Sequence, residues 1–234
     1  MFRYLLGIFI FILPLTVFGQ NVKTFIPTKA VTYLPLVKQE ATRIMPDFTT
    51  PWYFGALIEH ESCISLKHSR CWSPTSQLLS KRERGAGLSM LTIAYNADGS
   101  TRFDSLTDLR RANMRELKEL SWNNILERPD LQIRSLILMT KSNYSIFREV
   151  DDPYQRLAMT DVAYNAGASR VKKNRLQCSL AKHCDPDIWF DNVEKHCTAS
   201  KKPMYAGRSA CDILTHHPRD TMMTRMPKYY PYFK

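Results

Sequence analysis

Beyond its first twenty residues the chain has no apolar run that approaches the roughly 20 residues a helical bilayer span needs, which excludes a bundle of membrane-spanning helices. It has no internal repeat and no low-complexity tract, so a repeat architecture is not expected. Runs of alternating polarity are scarce, and strands should be few and short. Cysteine pairs two to four residues apart, the usual zinc spacing, are missing. So is any recognised nucleic-acid-binding motif. Acidic side chains are in deficit, 22 against 33 Lys and Arg.

What is present describes an exported globular protein. At 234 residues, 44% hydrophobic and 11% aromatic, the chain can bury one good core and a small appendage. Arg3 precedes an apolar stretch from Tyr4 to Phe18, about 15 residues and too short for a span, followed by Gly19-Gln20. Residues 1–19 are therefore expected to be a signal peptide, with no stable membrane insertion after cleavage, and the protein periplasmic or extracellular. An uncleaved anchor is the alternative, because the usual alanines are missing from the cleavage region.

The six cysteines, Cys63, Cys71, Cys178, Cys184, Cys197 and Cys211, all follow that segment, and an even set in an oxidising space reads as three disulfides. The expected bridges are Cys63 to Cys71 and two within Cys178 to Cys211. His183 and His196, each beside a cysteine, keep a zinc reading open, but the wide gaps and the compartment favour oxidation, so no metal and no cofactor are expected. His216-His217 ahead of Pro218 reads as a solvated turn. Much of the basic excess lies in the last third, at Lys172, Lys173, Arg175, Lys201, Lys202, Arg208, Arg219, Arg225 and Lys228. Such a field suits an anionic polymer, although a solvated surface without a partner has the same composition.

The stretch Trp52 to Ser62, WYFGALIEHES, sets a short apolar run directly ahead of a carboxylate. Phe54, Leu57, Ile58 and Glu61 fall at helical spacing, so a helix that buries its apolar side carries Glu61 at the margin of the core. A carboxyl group partly removed from water holds its proton to higher pH, the state needed to protonate a leaving oxygen. Glu59 cannot share that face, since two residues along a helix turn the side chain by roughly 200°. Two solvated helix-end acids are the plainer reading of these eleven residues.

Two later segments, Lys81 to Asn96 (KRERGAGLSMLTIAYN) and Met159 to Val171 (MTDVAYNAGASRV), change that balance. With Glu61-Ser62 they resemble, in order and spacing, the three signature blocks of the soluble lytic transglycosylase family, whose fold is lysozyme-like. The likeness covers roughly residues 51–171. Gly85-Ala86-Gly87-Leu88 and Ala163-Tyr164-Asn165-Ala166-Gly167 are intact, while Met90 stands where the family usually has glutamine. A thioether donates nothing and accepts weakly, so substrate contact through an amide is lost there.

The resemblance implies Glu61 as the single catalytic acid, with Ser62, Met90, Tyr164 and Asn165 at the substrate and Tyr164 beside Glu61. It implies cleavage of the β-1,4 linkage between N-acetylmuramic acid and N-acetylglucosamine in peptidoglycan, leaving a 1,6-anhydro end. The alternatives are a hydrolytic muramidase, for which Asp98, Asp104 and Asp161 are available as a second acid, a wall-binding protein of the same fold without turnover, and a disulfide-rich secreted binder. Nucleic acid is disfavoured by the export segment.

The expected architecture is mainly α: a lysozyme-like catalytic domain over residues 20–175, and a disulfide-stapled, Cys- and Pro-rich basic C-terminal extension over residues 176–234. Helices are expected over Thr28 to Met45, with Pro35 a break or a start, Trp52 to Ser62, Thr107 to Leu120 and Leu131 to Tyr144. A further helix is opened by Asp152-Pro153 and stopped at Gly167. Strands are expected only as a short hairpin around Gly85 to Tyr95, with Lys67 to Arg84 a loop over the cleft. The prolines after Gln177 argue against further bundle helices.

Overall fold

The computed structural model describes residues 25–234, and the segment expected to direct export lies outside them. The first helix, α1 (Thr28–Ile44), buries Ala30, Leu34, Val37, Ala41 and Ile44 along one face. Pro35 does not break it. That residue lies on the exposed side, as does Val31, whose carbonyl loses its partner.

Helix α2 (Tyr53–Ser62) runs through the interior, with every residue from Tyr53 to Glu59 buried. α5 (Pro129–Ile146) is the other central helix. Proline opens it, and Leu131, Ile133, Leu136, Ile137 and Leu138 are buried along it. α6 (Pro153–Ala166) begins where the Asp152 side chain accepts from the Tyr154 and Gln155 amides and ends at Gly167, as the sequence suggests. α1 packs on α5, and α5 on α6. Beyond Gly167, α7 (Ala168–Ser179) turns back onto α6.

Between α2 and α5 lies more sheet than expected. β1 (Gln77–Leu79), β2 (Glu83–Ala86), β3 (Leu91–Tyr95) and β4 (Thr101–Asp104) form a four-stranded antiparallel meander in that order, not a single hairpin. Strands of three to five residues are too short to show alternation in sequence. Local turns fix them: the Ser80 hydroxyl accepts from the Arg82 and Glu83 amides, and the turn at Asp98-Gly99 closes with the Asn96 amide donating to the Ser100 carbonyl at 2.8 Å. β1 and β2 thus occupy part of the stretch expected to be a loop.

The charged helix expected over Thr107 to Leu120 is two pieces, α3 (Ser105–Ala112) and α4 (Met114–Leu117), because the Asn113 amide side chain caps the Leu109 carbonyl at 3.0 Å.

The C-terminal residues are helical as well. α8 (Ala210–Pro218) starts with a reciprocal Ser209–Asp212 capping box, a π-helical stretch Arg219–Arg225 follows, and α9 (Met226–Tyr229) comes next. Pro227 lies in the first turn of its helix, where the missing N–H costs little, and Pro218 falls at the last position of α8, where the α-helix gives way to the π stretch, so proline content did not exclude helices here. α8 packs on α6, while the π stretch and α9 pack on α2. Trp189, Phe190, Leu214, Met222, Met226 and Tyr229 belong to the same hydrophobic core as Ile26, Phe54 and Leu136, so no second core begins at residue 176. A short hairpin, β5 (Pro203–Tyr205) with β6 (Arg208–Ser209), lies ahead of α8.

The disulfides are Cys63–Cys71, Cys178–Cys184 and Cys197–Cys211, as expected, and they fit an oxidising compartment. The ligand atoms of Cys178, Cys184 and His196 lie within 4.8 Å of one another. The two sulfurs are joined to each other, so that group offers no thiolate to a metal. Among the described residues no helix is long and apolar enough to cross a membrane.

Candidate active site

Glu61 sits in the last turn of α2, with 13% of its side chain exposed, and lines a cleft of about 270 Å³. Opposite it stand the sheet and the α5–α6 side, which contribute Glu83, Met90, Thr92, Phe103, Met139 and Tyr164. A larger hollow of about 930 Å³ shares Glu83, Phe103, Ser105, Met139, Tyr164 and Asn165 with the first, so the two form a continuous groove. Its far part is mixed, with Arg102, Asp108, Asn143 and Ser169 in the wall beside Leu109, Ala112 and Ala166.

The glycine turn shapes one side. Gly87 has φ +78°, and a Cβ there would lie 2.5 Å from the Gln132 side chain. Gln132 is fully buried on α5: its Oε1 accepts from the Leu88 amide at 2.8 Å and its Nε2 donates to the carbonyls of Pro74 and Ile125. One amide thus fastens the turn to the core. Met90 follows at φ +44°, its side chain folded over Gly85 and facing the cleft. The Tyr164 hydroxyl donates to the Ser89 carbonyl at 2.6 Å, tying α6 to that turn. Burial, reinforced by the nearby Glu61 and Asp161 carboxylates, keeps this phenol protonated well above its ordinary range.

Of the residues named from sequence, Glu61, Met90, Tyr164 and Asn165 therefore meet at one cleft. Ser62 does not line it. Its hydroxyl donates to the Ile58 carbonyl at 2.6 Å and accepts from the Trp72 amide at 3.1 Å, closing the end of α2 onto the loop that carries the Cys63–Cys71 bridge.

The largest departure from the sequence reading concerns His217. It is not a solvated turn residue: its side chain is 2% exposed, and it bridges two carboxylates. Nε2 lies 3.1 Å from Glu61 Oε1, and Nδ1 lies 2.5 Å from Asp161 Oδ2. Asp161 is fully buried and also accepts from the Tyr53 hydroxyl at 2.8 Å. Burial opposes a charge on the imidazole, but Asp161 and then Glu61 outweigh it and push the His217 pKa up to about 10. A carboxylate at each ring nitrogen favours the imidazolium, which can donate from both.

One signal could have pointed there. Asp161 lies three residues before Tyr164 inside an otherwise apolar helix face, and an acid at such a position needs a partner. His217 had no local signal, since its partners lie far back in the chain.

Glu59 is fully buried on the other side of α2 and is held by Arg225, Lys228 and the Tyr229 hydroxyl, the last at 2.6 Å. The two glutamates of α2 are indeed not a pair, but neither is a freely solvated acid. No family model matches the sequence, and no curated protein matches it.

Proposed function

We propose that the protein is an exported peptidoglycan lytic transglycosylase with a lysozyme-like fold, acting in the periplasm or outside the cell. The observation that carries the reading is the placement of Glu61, largely shielded from water yet open to a continuous groove, beside the glycine turn and Tyr164. Protonated Glu61 donates to the glycosidic oxygen, and the C1–O bond breaks as the leaving sugar departs. The carboxylate then takes the proton of the muramoyl C6 hydroxyl as that oxygen attacks C1, closing the 1,6-anhydro ring without water. The excess of basic side chains suits a wall rich in peptide carboxylates.

A hydrolytic muramidase is the second reading, and Glu83 favours it. This acid lines the same cleft as Glu61, where a hydrolase places its nucleophile or its base for water. The sequence analysis had considered Asp98, Asp104 and Asp161 for that place. Asp161 is occupied by His217 and Tyr53, and Asp98 and Asp104 do not line the cleft.

Digestion of purified peptidoglycan and mass analysis of the fragments separates the readings. Anhydro-muramoyl ends support the first and reducing ends the second. Absence of fragments from the wild-type protein, with binding to the wall retained, would leave a non-catalytic wall binder.

A further inference from the structure

We propose that His217 is a positioning residue for Glu61, so that the C-terminal helix α8 completes the active site: Nε2 fixes the carboxyl group toward the cleft and the ring's charge stabilises the carboxylate as its proton leaves. This rests on the glycan-cleaving reading for its chemical meaning, although the pairing itself can be tested without turnover.

The geometry assigns the two oxygens of Glu61 different tasks. Oε1 is engaged by His217, while Oε2 has no hydrogen-bond partner among the described residues and is left for the substrate. Asp161 holds the opposite ring nitrogen and is itself anchored by Tyr53, so the ring cannot turn without abandoning a buried carboxylate. The Asp161–imidazolium pair therefore acts as a fixed dipole with its positive end at Glu61. It offsets negative charge on Glu61 when the glycosidic oxygen takes the proton, and it requires no proton movement of its own.

The surroundings keep the ring in place from each packed element. From α2, the His60 ring lies tilted against His217 with ring centroids 4.0 Å apart, and its Nδ1 lies 2.9 Å from Asp220 Oδ2. Asp220 is itself bound by Arg225 at 2.6 Å and is held below the usual carboxylate range by His60 and Arg225 despite burial. α6 contributes Asp161 and Tyr164, α2 also contributes Tyr53 and Glu61, and His216 is the titratable neighbour on α8. At the start of α8 the Cys197–Cys211 bridge and the capping box secure the helix that carries the ring.

The test uses the full chain with H217Q, H217A and D161N, assayed on soluble glycan-strand fragments. H217A should lower kcat about 100-fold with KM little changed, the usual cost of one preorganised donor. H217Q, whose amide can still reach Oε1, should recover part of kcat. Its alkaline limb should nevertheless move, because the ring that faces Glu61 in the wild type is gone. D161N should shift that limb as well. A wild-type alkaline limb and kcat in H217Q would overturn the proposal.

Nitrogen NMR of the imidazole in the wild-type chain supplies a readout independent of turnover and of whether the variants fold. A ring protonated on both nitrogens at pH 8 supports the pairing, and a neutral ring overturns it. If wild-type protein released no fragments, the lytic reading would fail while the spectra still decided the pairing.

Discussion

Glu59 and Glu61 stand two residues apart on α2 and face opposite sides of it, one into an enclosed cluster with Arg225, Lys228 and Tyr229, the other into the groove. The same amino acid thus serves two ends. E61Q should leave the unfolding midpoint within a few degrees of wild type and abolish fragment release. E59Q removes a fully buried charge from two partly exposed cations and Tyr229 and should cost about 1.5–3 kcal/mol of stability, measurable by denaturant unfolding. Equal stability losses in the two variants would show that the division is wrong.

Tyr229 packs directly on Gly55 of α2, where a Cβ would lie 2.6 Å from the ring. G55A should therefore displace α9 and destabilise the protein by about 1–3 kcal/mol, in the range of overpacked cores. G87A should act more severely, because it combines a left-handed backbone position with a clash against buried Gln132. Thermal unfolding of both variants is the check, and a stable G87A with intact activity would refute the account of the turn.

His217 makes stability pH-dependent. Its pKa rises from an ordinary value near 6.5 to about 10 on folding. The folded state thus binds the proton more tightly, and the contribution is complete below pH 6.5 and lost as pH climbs toward 10. Unfolding free energy should fall over that interval in the wild type and fall less in H217Q. Identical slopes would count against a charged His217.

Glu83 decides between the two chemistries. In a lytic transglycosylase, E83Q should retain most activity, within about tenfold, and still leave anhydro ends; in a hydrolase it should lose roughly 100-fold or more. Rates and fragment masses from one digestion series answer both points.

The helices were legible where local chemistry acts over one turn. Apolar residues at helical spacing marked α1, α2 and α5, and Asp152 with Pro153 and Gly167 marked both ends of α6. Of the meander only the β2–β3 hairpin was legible, because strands of three to five residues show little alternation and the outer ones are held by cross-strand bonds. Asn113 hid a helix break, since the same residue in a helix interior carries no distinct signal until its side chain finds the Leu109 carbonyl.

By itself the sequence determined that Glu61 ends an apolar helix, that a glycine turn and an aromatic-polar block follow it, and that an even set of six cysteines suits three disulfides. Those are short-range facts, set by helical periodicity and by backbone positions that favour glycine. Only the tertiary structure decided that His217 reaches Glu61 and Asp161, that Glu59 is enclosed by Arg225 and Lys228, and that Gln132 holds the turn. Each joins residues distant in the chain through buried charge or a buried amide, whose cost is met only when folding supplies the partner, and no local pattern encodes which partner that is.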